Sequence, residues 1–289
     1  MIYLEPKFLP GGDRFVLIEF GNEMNLELNF IAQGLAAMIA SQKIAGVVET
    51  APSFASLLIR YDPDKVSFED LRREMTALIR SLGPSGDIVL NSRLIYLPTT
   101  YLDRWTRECV QDYCHKIKVK EPDPEFVARI NGLADTSQLV RVHSGTEYWV
   151  AALGFWPGLP FMMALDPRCA ITAPKYNPPR TWTPQGTVGM GGASTAIYPV
   201  ATPGGYQIFA RTPVPIWDNE KRFPVFHDSI VLFRAGDRVK FVPIDEQEFE
   251  FIEARVKEGT YVYNVVEYQK FSVKDYKSWI GSLAKDRRF

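Results

Sequence analysis

Residues 175–192, Lys-Tyr-Asn-Pro-Pro-Arg-Thr-Trp-Thr-Pro-Gln-Gly-Thr-Val-Gly-Met-Gly-Gly, gather more chemistry than any other stretch of this chain. Lys175 and Arg180 are its two charges. A guanidinium forks onto a carboxylate or carbonyl oxygen, and a partly desolvated lysine can also accept a proton. Asn177, Gln185 and, further on, Gln207 offer an amide donor and acceptor each, the complement of another amide's edge. Tyr176, Trp182 and Tyr206 are flat enough to wall a planar guest. His143, before the Ser144-Gly145 turn, is a candidate general base. Each has a structural alternative: a clamp on loop carbonyls for Arg180, a solvated charge for Lys175, barrel-mouth packing for the aromatics and a structural role for His143.

The backbone chemistry of the stretch is that of a rigid loop. Pro178, Pro179 and Pro184 remove donors and fix φ, which excludes a helix. Gly186, Gly189, Gly191 and Gly192 permit close backbone approach, and their amides could face an oxyanion. A second turn signal, Pro203-Gly204-Gly205, precedes the alternating residues 206–211. A third, Gly154-Phe155-Trp156-Pro157-Gly158, follows a strand-like run at 148–153.

The surrounding elements read as α+β. Residues 14–20, 46–50, 56–61 and 88–98 have strand character. Apolar spacing predicts helices over 27–42 and 67–83, the second opened by Ser67 with Asp70 three residues on. The order β-α-β-β-α-β is that of a ferredoxin-like domain, placed at residues 1–90. Residues 91–289 form the second domain. It opens with a helical insert at about 103–143, in which Asp123 is the expected cap of a helix with Pro124 in its first turn. Short strands with dense Gly/Pro turns follow to Pro243, suggesting an antiparallel barrel or sandwich. A helical tail closes the chain, with Ser272 near its last helix start. Asp237, after Gly236, reads as a turn former.

Composition narrows the classes. A net charge of −1 removes the main electrostatic term of nucleic-acid binding. No run of 18 apolar residues exists, so no membrane span is expected. The N-terminus lacks the pattern of a signal peptide. The 3 cysteines show no CxxC spacing, which fits a cytoplasmic protein without disulfides. The 3 histidines are far apart and form no metal-binding motif, so no metal is expected. No nucleotide-binding glycine motif is present.

An ordered series of motifs resembles the carboxyltransferase C–D subdomain family. The series is Gly12-Asp13-Arg14, Val48-Glu49, residues 56–63, 154–158, 165–168 and 174–184, Val188-Gly-Met-Gly-Gly192, Ile197-Tyr-Pro199, residues 202–207 and Gly236-Asp-Arg-Val239. The family includes allophanate hydrolase subunit 1, the 5-oxoprolinase B subunit, a bacterial kinase inhibitor and the C–D half of the urea carboxylase carboxyltransferase domain. The loop at 176–184, the words at 203–207, the helical insert and the tail are closest to the urea carboxylase branch. Gly154-Phe-Trp-Pro-Gly158 is closer to the stand-alone subunits.

The resemblance implies a ferredoxin-like part followed by a cyclophilin-like β-barrel. It implies a subunit that acts on urea or a related amide or lactam, with its site shared with an A–B-type partner. No cofactor is expected on this chain itself. Carboxybiotin would come from a partner, with biotin carboxylase and a biotin carrier protein in the assembly, and ATP would be used by partner subunits. With no biotinyl-lysine motif, the chain is expected to be inactive alone. Carboxyl transfer needs a stabilised ureido oxygen, an oriented acceptor amide and exclusion of water. Lys175, Arg180 and His143 are the expected catalytic groups. Tyr176, Asn177, Trp182, Gln185, Tyr206 and Gln207 are the expected substrate contacts. The alternatives are a 5-oxoprolinase subunit, a binding module that inhibits a sensor histidine kinase, and a prolyl isomerase.

Overall fold

The computed structural model describes residues 1–284. They form two compact units, Met1–Ser92 with Tyr268–Leu283, and a second centred on Arg93–Glu267. Among the described residues are 12 strands and 7 α-helices in two sheets.

The first unit begins with β1 (Ile2–Gly11), β2 (Phe15–Gly21), α1 (Leu26–Gln42), β3 (Val47–Ser53), β4 (Ser56–Tyr61) and α2 (Phe68–Leu82). Period-two alternation sends Val16, Ile18 and Phe20 of β2 and Leu57, Ile59 and Tyr61 of β4 to one buried face. The two helices cover that face through Leu28, Leu35 and Ile39 of α1 and Leu71, Met75 and Leu78 of α2. Ser67 caps α2, accepting from the Asp70 amide at 3.1 Å. The sheet order is β1-β2-β4-β3, antiparallel throughout.

Here the sequence pattern misleads. It makes residues 88–98 the fourth strand of this sheet, but β1 holds that edge, and β1 escapes detection because most of its residues are exposed and carry little alternation. Residues 88–98 instead fall largely within β5 (Val89–Tyr101), which belongs to the larger sheet.

The insert that follows is helical: α3 (Arg104–Lys116), α4 (Asp123–Ile130) and α5 (Thr136–Ser144). Then come β6 (Glu147–Leu153), β7 (Pro160–Ala164), β8 (Thr187–Gly191), β9 (Ser194–Ile197), β10 (Gln207–Arg211), β11 (Arg238–Ile244), α6 (Glu246–Lys257), β12 (Asn264–Ser272) and α7 (Val273–Ser282). The larger sheet runs β10-β8-β9-β7-β6-β11-β5-β12, and β10 also pairs with β5 through Ala210 opposite Tyr101 and Arg211 opposite Thr100. Seven strands therefore pair in a closed ring, which leaves none of those seven with a free edge. The ring departs from the antiparallel expectation at one seam, because β11 lies parallel to β5 from Arg238 to Ile244. The tail departs from a purely helical reading: β12 precedes α7, and Phe271 and Tyr276 pack on Phe30 of the first unit at 5.4 and 5.5 Å.

Asp237 does more than shape a turn. Its carboxylate, buried in the second unit, accepts Arg93 Nε at 3.0 Å and the Arg234 amide at 2.7 Å. No helix among the described residues is long and apolar enough to cross a membrane.

Candidate active site

The proline-rich loop is pinned at its ends by backbone bridges. Ala173 pairs with Gly192, and Arg180 pairs with Gly204 through hydrogen bonds of 2.9 and 3.2 Å. Between them the Tyr176 amide donates to Gly205 O at 2.6 Å, and the Asn177–Pro178 peptide is cis. The second turn signal is thus the rail on which the first loop is laid. Gly204 is needed there, since a Cβ on it would run into the Tyr198 hydroxyl.

Pinned in this way, the loop sends Lys175 and Tyr176 in different directions. Lys175 lines a recess of 240 Å³ together with Pro179, Gly204, Gly205, Tyr198 and Tyr206, with Phe155, Leu159 and Phe161 completing an otherwise apolar wall. Its Nζ stands 5.3 Å from the Tyr206 ring centroid. Tyr176 turns inward. Its hydroxyl and the Lys120 ammonium both donate to Asp123 Oδ1, while Asp123 Oδ2 accepts the Ile208 amide at 2.7 Å. Burial, with the Asp123 carboxylate beside it, holds the Tyr176 hydroxyl far above its usual range, so it remains the donor.

Gln207 belongs to the same network, accepting from Lys120 at 2.9 Å and donating to Pro174 O at 2.7 Å. The Asp123 carboxylate is therefore spent on the loop rather than on its own helix, and Pro122 stands at the N-cap of α4 in place of the expected Asp123. Helix α3 grips the loop as well. Tyr113 donates to Pro178 O at 2.9 Å, Cys109 to Trp182 O at 3.3 Å, and Trp182 Nε1 to Asp112 at 2.8 Å. Burial pushes the Cys109 thiol up to about 11, so it is un-ionised at neutral pH.

Arg180 has the geometry of a clamp. It is 1% exposed, donates to Tyr206 O at 2.5 Å, approaches Thr183 Oγ1 at 3.3 Å and stacks 4.5 Å from the centre of the Tyr176 ring. Arg180→Ala should therefore lower stability by about 2–3 kcal/mol, the cost of opening a buried hydrogen-bond network. Chemical denaturation of the variant checks this, and an unchanged midpoint would return Arg180 to the reactive groups.

His143 lies in the core, fully buried among Tyr148, Phe209 and Phe241 at 4.9 Å each. Tyr101 Oη is 2.8 Å from its Nδ1, and Thr195 Oγ1 is 3.3 Å from its Nε2. A histidine enclosed in this way does not line the recess, and both of its ring nitrogens have partners in the core. Burial lowers its pKa to about 3. The folded value is depressed, so the unfolded chain binds the proton first. The contribution of neutral His143 is complete above about pH 6.5 and falls by about 1.4 kcal/mol per unit as the pH drops towards the folded value. Stability measured from pH 7 to 4 should show this slope, and His143→Gln should flatten it.

Of the nine candidate side chains, only Lys175 and Tyr206 line the recess. Tyr176, Gln207 and Arg180 are buried in the network that fastens the loop, Asn177 and Gln185 are not part of that network, and Trp182 is held on α3. The glycine amides are also engaged: Gly186 donates to Tyr198 O at 2.8 Å and Gly192 to Ala173 O at 2.7 Å. Sequence reasoning missed Lys120 and Asp123 as part of the site. Their i, i+3 spacing within the insert was the available signal.

This pinned loop lies inside a region that matches a known family model. The chain belongs to the family of carboxyltransferase domains, subdomain C and D, whose model matches residues 6–227. It is 32% identical over 289 residues to the urea amidolyase of Saccharomyces cerevisiae, covering 96% of this chain and 15% of that protein. It is 34% identical over 248 residues to the 5-oxoprolinase B subunit of Bacillus subtilis, covering 82% of this chain and 92% of that one. The crystal structure of Kluyveromyces lactis urea carboxylase superposes with a TM-score of 0.84 at 28% identity, over 97% of this chain and 26% of the other. The chain thus spans a small part of the urea amidolyase and urea carboxylase and most of the length of the 5-oxoprolinase protein.

Proposed function

We propose that this chain is a C–D-type subunit of a heteromeric carboxyltransferase or amide hydrolase, acting on urea or a related amide or lactam, with an A–B-type partner completing the active site. The observation that carries the reading is the Lys175 ammonium at the mouth of an apolar recess, held on a loop fastened from behind. A cation held beside an apolar recess can stabilise negative charge that develops on a carbonyl or ureido oxygen. The finer fold reading accompanies it: a ferredoxin-like first unit, and a cyclophilin-like barrel in the second, supported by the closed ring of seven paired strands.

Carboxybiotin carried by a partner would supply the carboxyl group in the urea reaction. The recess, with one ammonium and the rings of Tyr198 and Tyr206, suits a flat ureido end of that size. In the lactam reaction ATP is spent on a partner protein. In both, Lys175 would hold charge at one point beside the apolar wall of Phe155, Leu159 and Phe161.

The test is co-expression with an A–B-type partner, with assays of ATP- and bicarbonate-dependent turnover of urea in the presence of biotin carboxylase and carrier, and of ATP-dependent 5-oxoproline cleavage. Turnover of one substrate by the purified complex supports the reading. Failure to form any complex, or a complex inert to both, overturns it.

A further inference from the structure

A lysine on an exposed loop samples many rotamers, and a wandering ammonium cannot stabilise charge at a fixed point. Among the described residues no carboxylate pairs with Lys175. What lies against it is an aromatic face: Nζ is 5.3 Å from the centre of the Tyr206 ring, within the range of cation–π attraction. That ring is itself held. Tyr206 is 9% exposed, its carbonyl accepts from Arg180, and Phe161 packs on it with centroids 6.4 Å apart.

Gly191, at the end of β8, provides the space for this arrangement. A Cβ on it would stand 2.5 Å from both Cδ1 and Cε1 of Tyr206 and 3.1 Å from Lys175 Cγ. Any side chain there would collide with the ring and crowd the lysine stem. The missing side chain at 191 is the gap in which both lie.

We propose that Tyr206 is the positioning residue for Lys175, its ring face holding the ammonium at the recess mouth, with Gly191 as the position that admits the pair. This rests on the reading of Lys175 as the working cation. It gives Tyr206, besides its place in the recess wall, a role exercised through Lys175.

The test needs no activity. Reductive dimethylation of the purified full chain with a 13C label keeps the lysine charge, and the Lys175 methyl resonance is assigned by its loss in Lys175→Arg. The wild-type methyl protons should be shifted upfield of those of exposed lysines by the ring current. Tyr206→Phe should keep the shift. Tyr206→Leu and Gly191→Ala should move it to the exposed-lysine position.

A wild-type resonance already at that position overturns the proposal without any variant having to fold, and so does an unchanged shift in Tyr206→Leu. In the active complex, Tyr206→Leu should lower kcat with little change in KM. An inert complex with the ring-current shift intact would defeat the functional reading and leave the positioning role standing.

Discussion

Asp123→Ala is expected to destabilise the second unit by about 3–5 kcal/mol, the range for breaking a buried ion pair from one side. The carboxylate is fully buried and holds three donors from three segments: Lys120 before α4, Tyr176 in the loop and the Ile208 amide in β10. Its removal leaves the Lys120 ammonium, 19% exposed, without its carboxylate, and deprives the Tyr176 hydroxyl of its acceptor. At roughly 2–4 °C per kcal/mol for a unit of this size, the melting temperature should fall by about 10 °C. Asp123→Asn keeps the shape and one acceptor and should lose less. A drop of under about 2 °C in the alanine variant would show that the three donors find other partners, and the buttress described above would be wrong.

Lys175→Met is expected to do the reverse. The side chain sits at the mouth of the recess with no carboxylate partner among the described residues, so the melting temperature should hold within about a degree. Turnover by the complex should fall by about 10²–10³-fold, the scale for losing one group that stabilises developing charge. The effect should appear in kcat more than in KM, because the ammonium acts on charge that grows towards the transition state. Wild-type turnover from the methionine variant would place the working cation on the partner protein.

The contrast between these two substitutions shows what can be read in the sequence and what cannot. Helices and most strands announce themselves through spacing. Ser67, Asp103 and Ser272 all cap helices where the pattern puts helix starts. Strand β1 does not announce itself, since a mostly exposed edge has no apolar period to detect. The loop is recognisable as rigid from its prolines and glycines, and its residues as chemically able.

What no local pattern carries is direction. Whether Arg180 faces a recess or the Tyr206 carbonyl is decided by the bridge to Gly204, a contact 24 residues away. His143 is a fair candidate by type, and its enclosure by Phe209 and Phe241 depends on strands far along the chain. Asp123 resembles a cap because its helix starts there. Its use by Tyr176, 53 residues on, is a tertiary fact.

Lys175 and Tyr176 are consecutive, yet one is offered outward and the other is bolted to Asp123. Such an alternation separates two evolutionary pressures along a single short segment. Replacements on the outward side can retune what the protein accepts while the anchoring side keeps the segment in place. A lineage could therefore change its chemistry at this spot by single substitutions, without first having to solve the folding problem again.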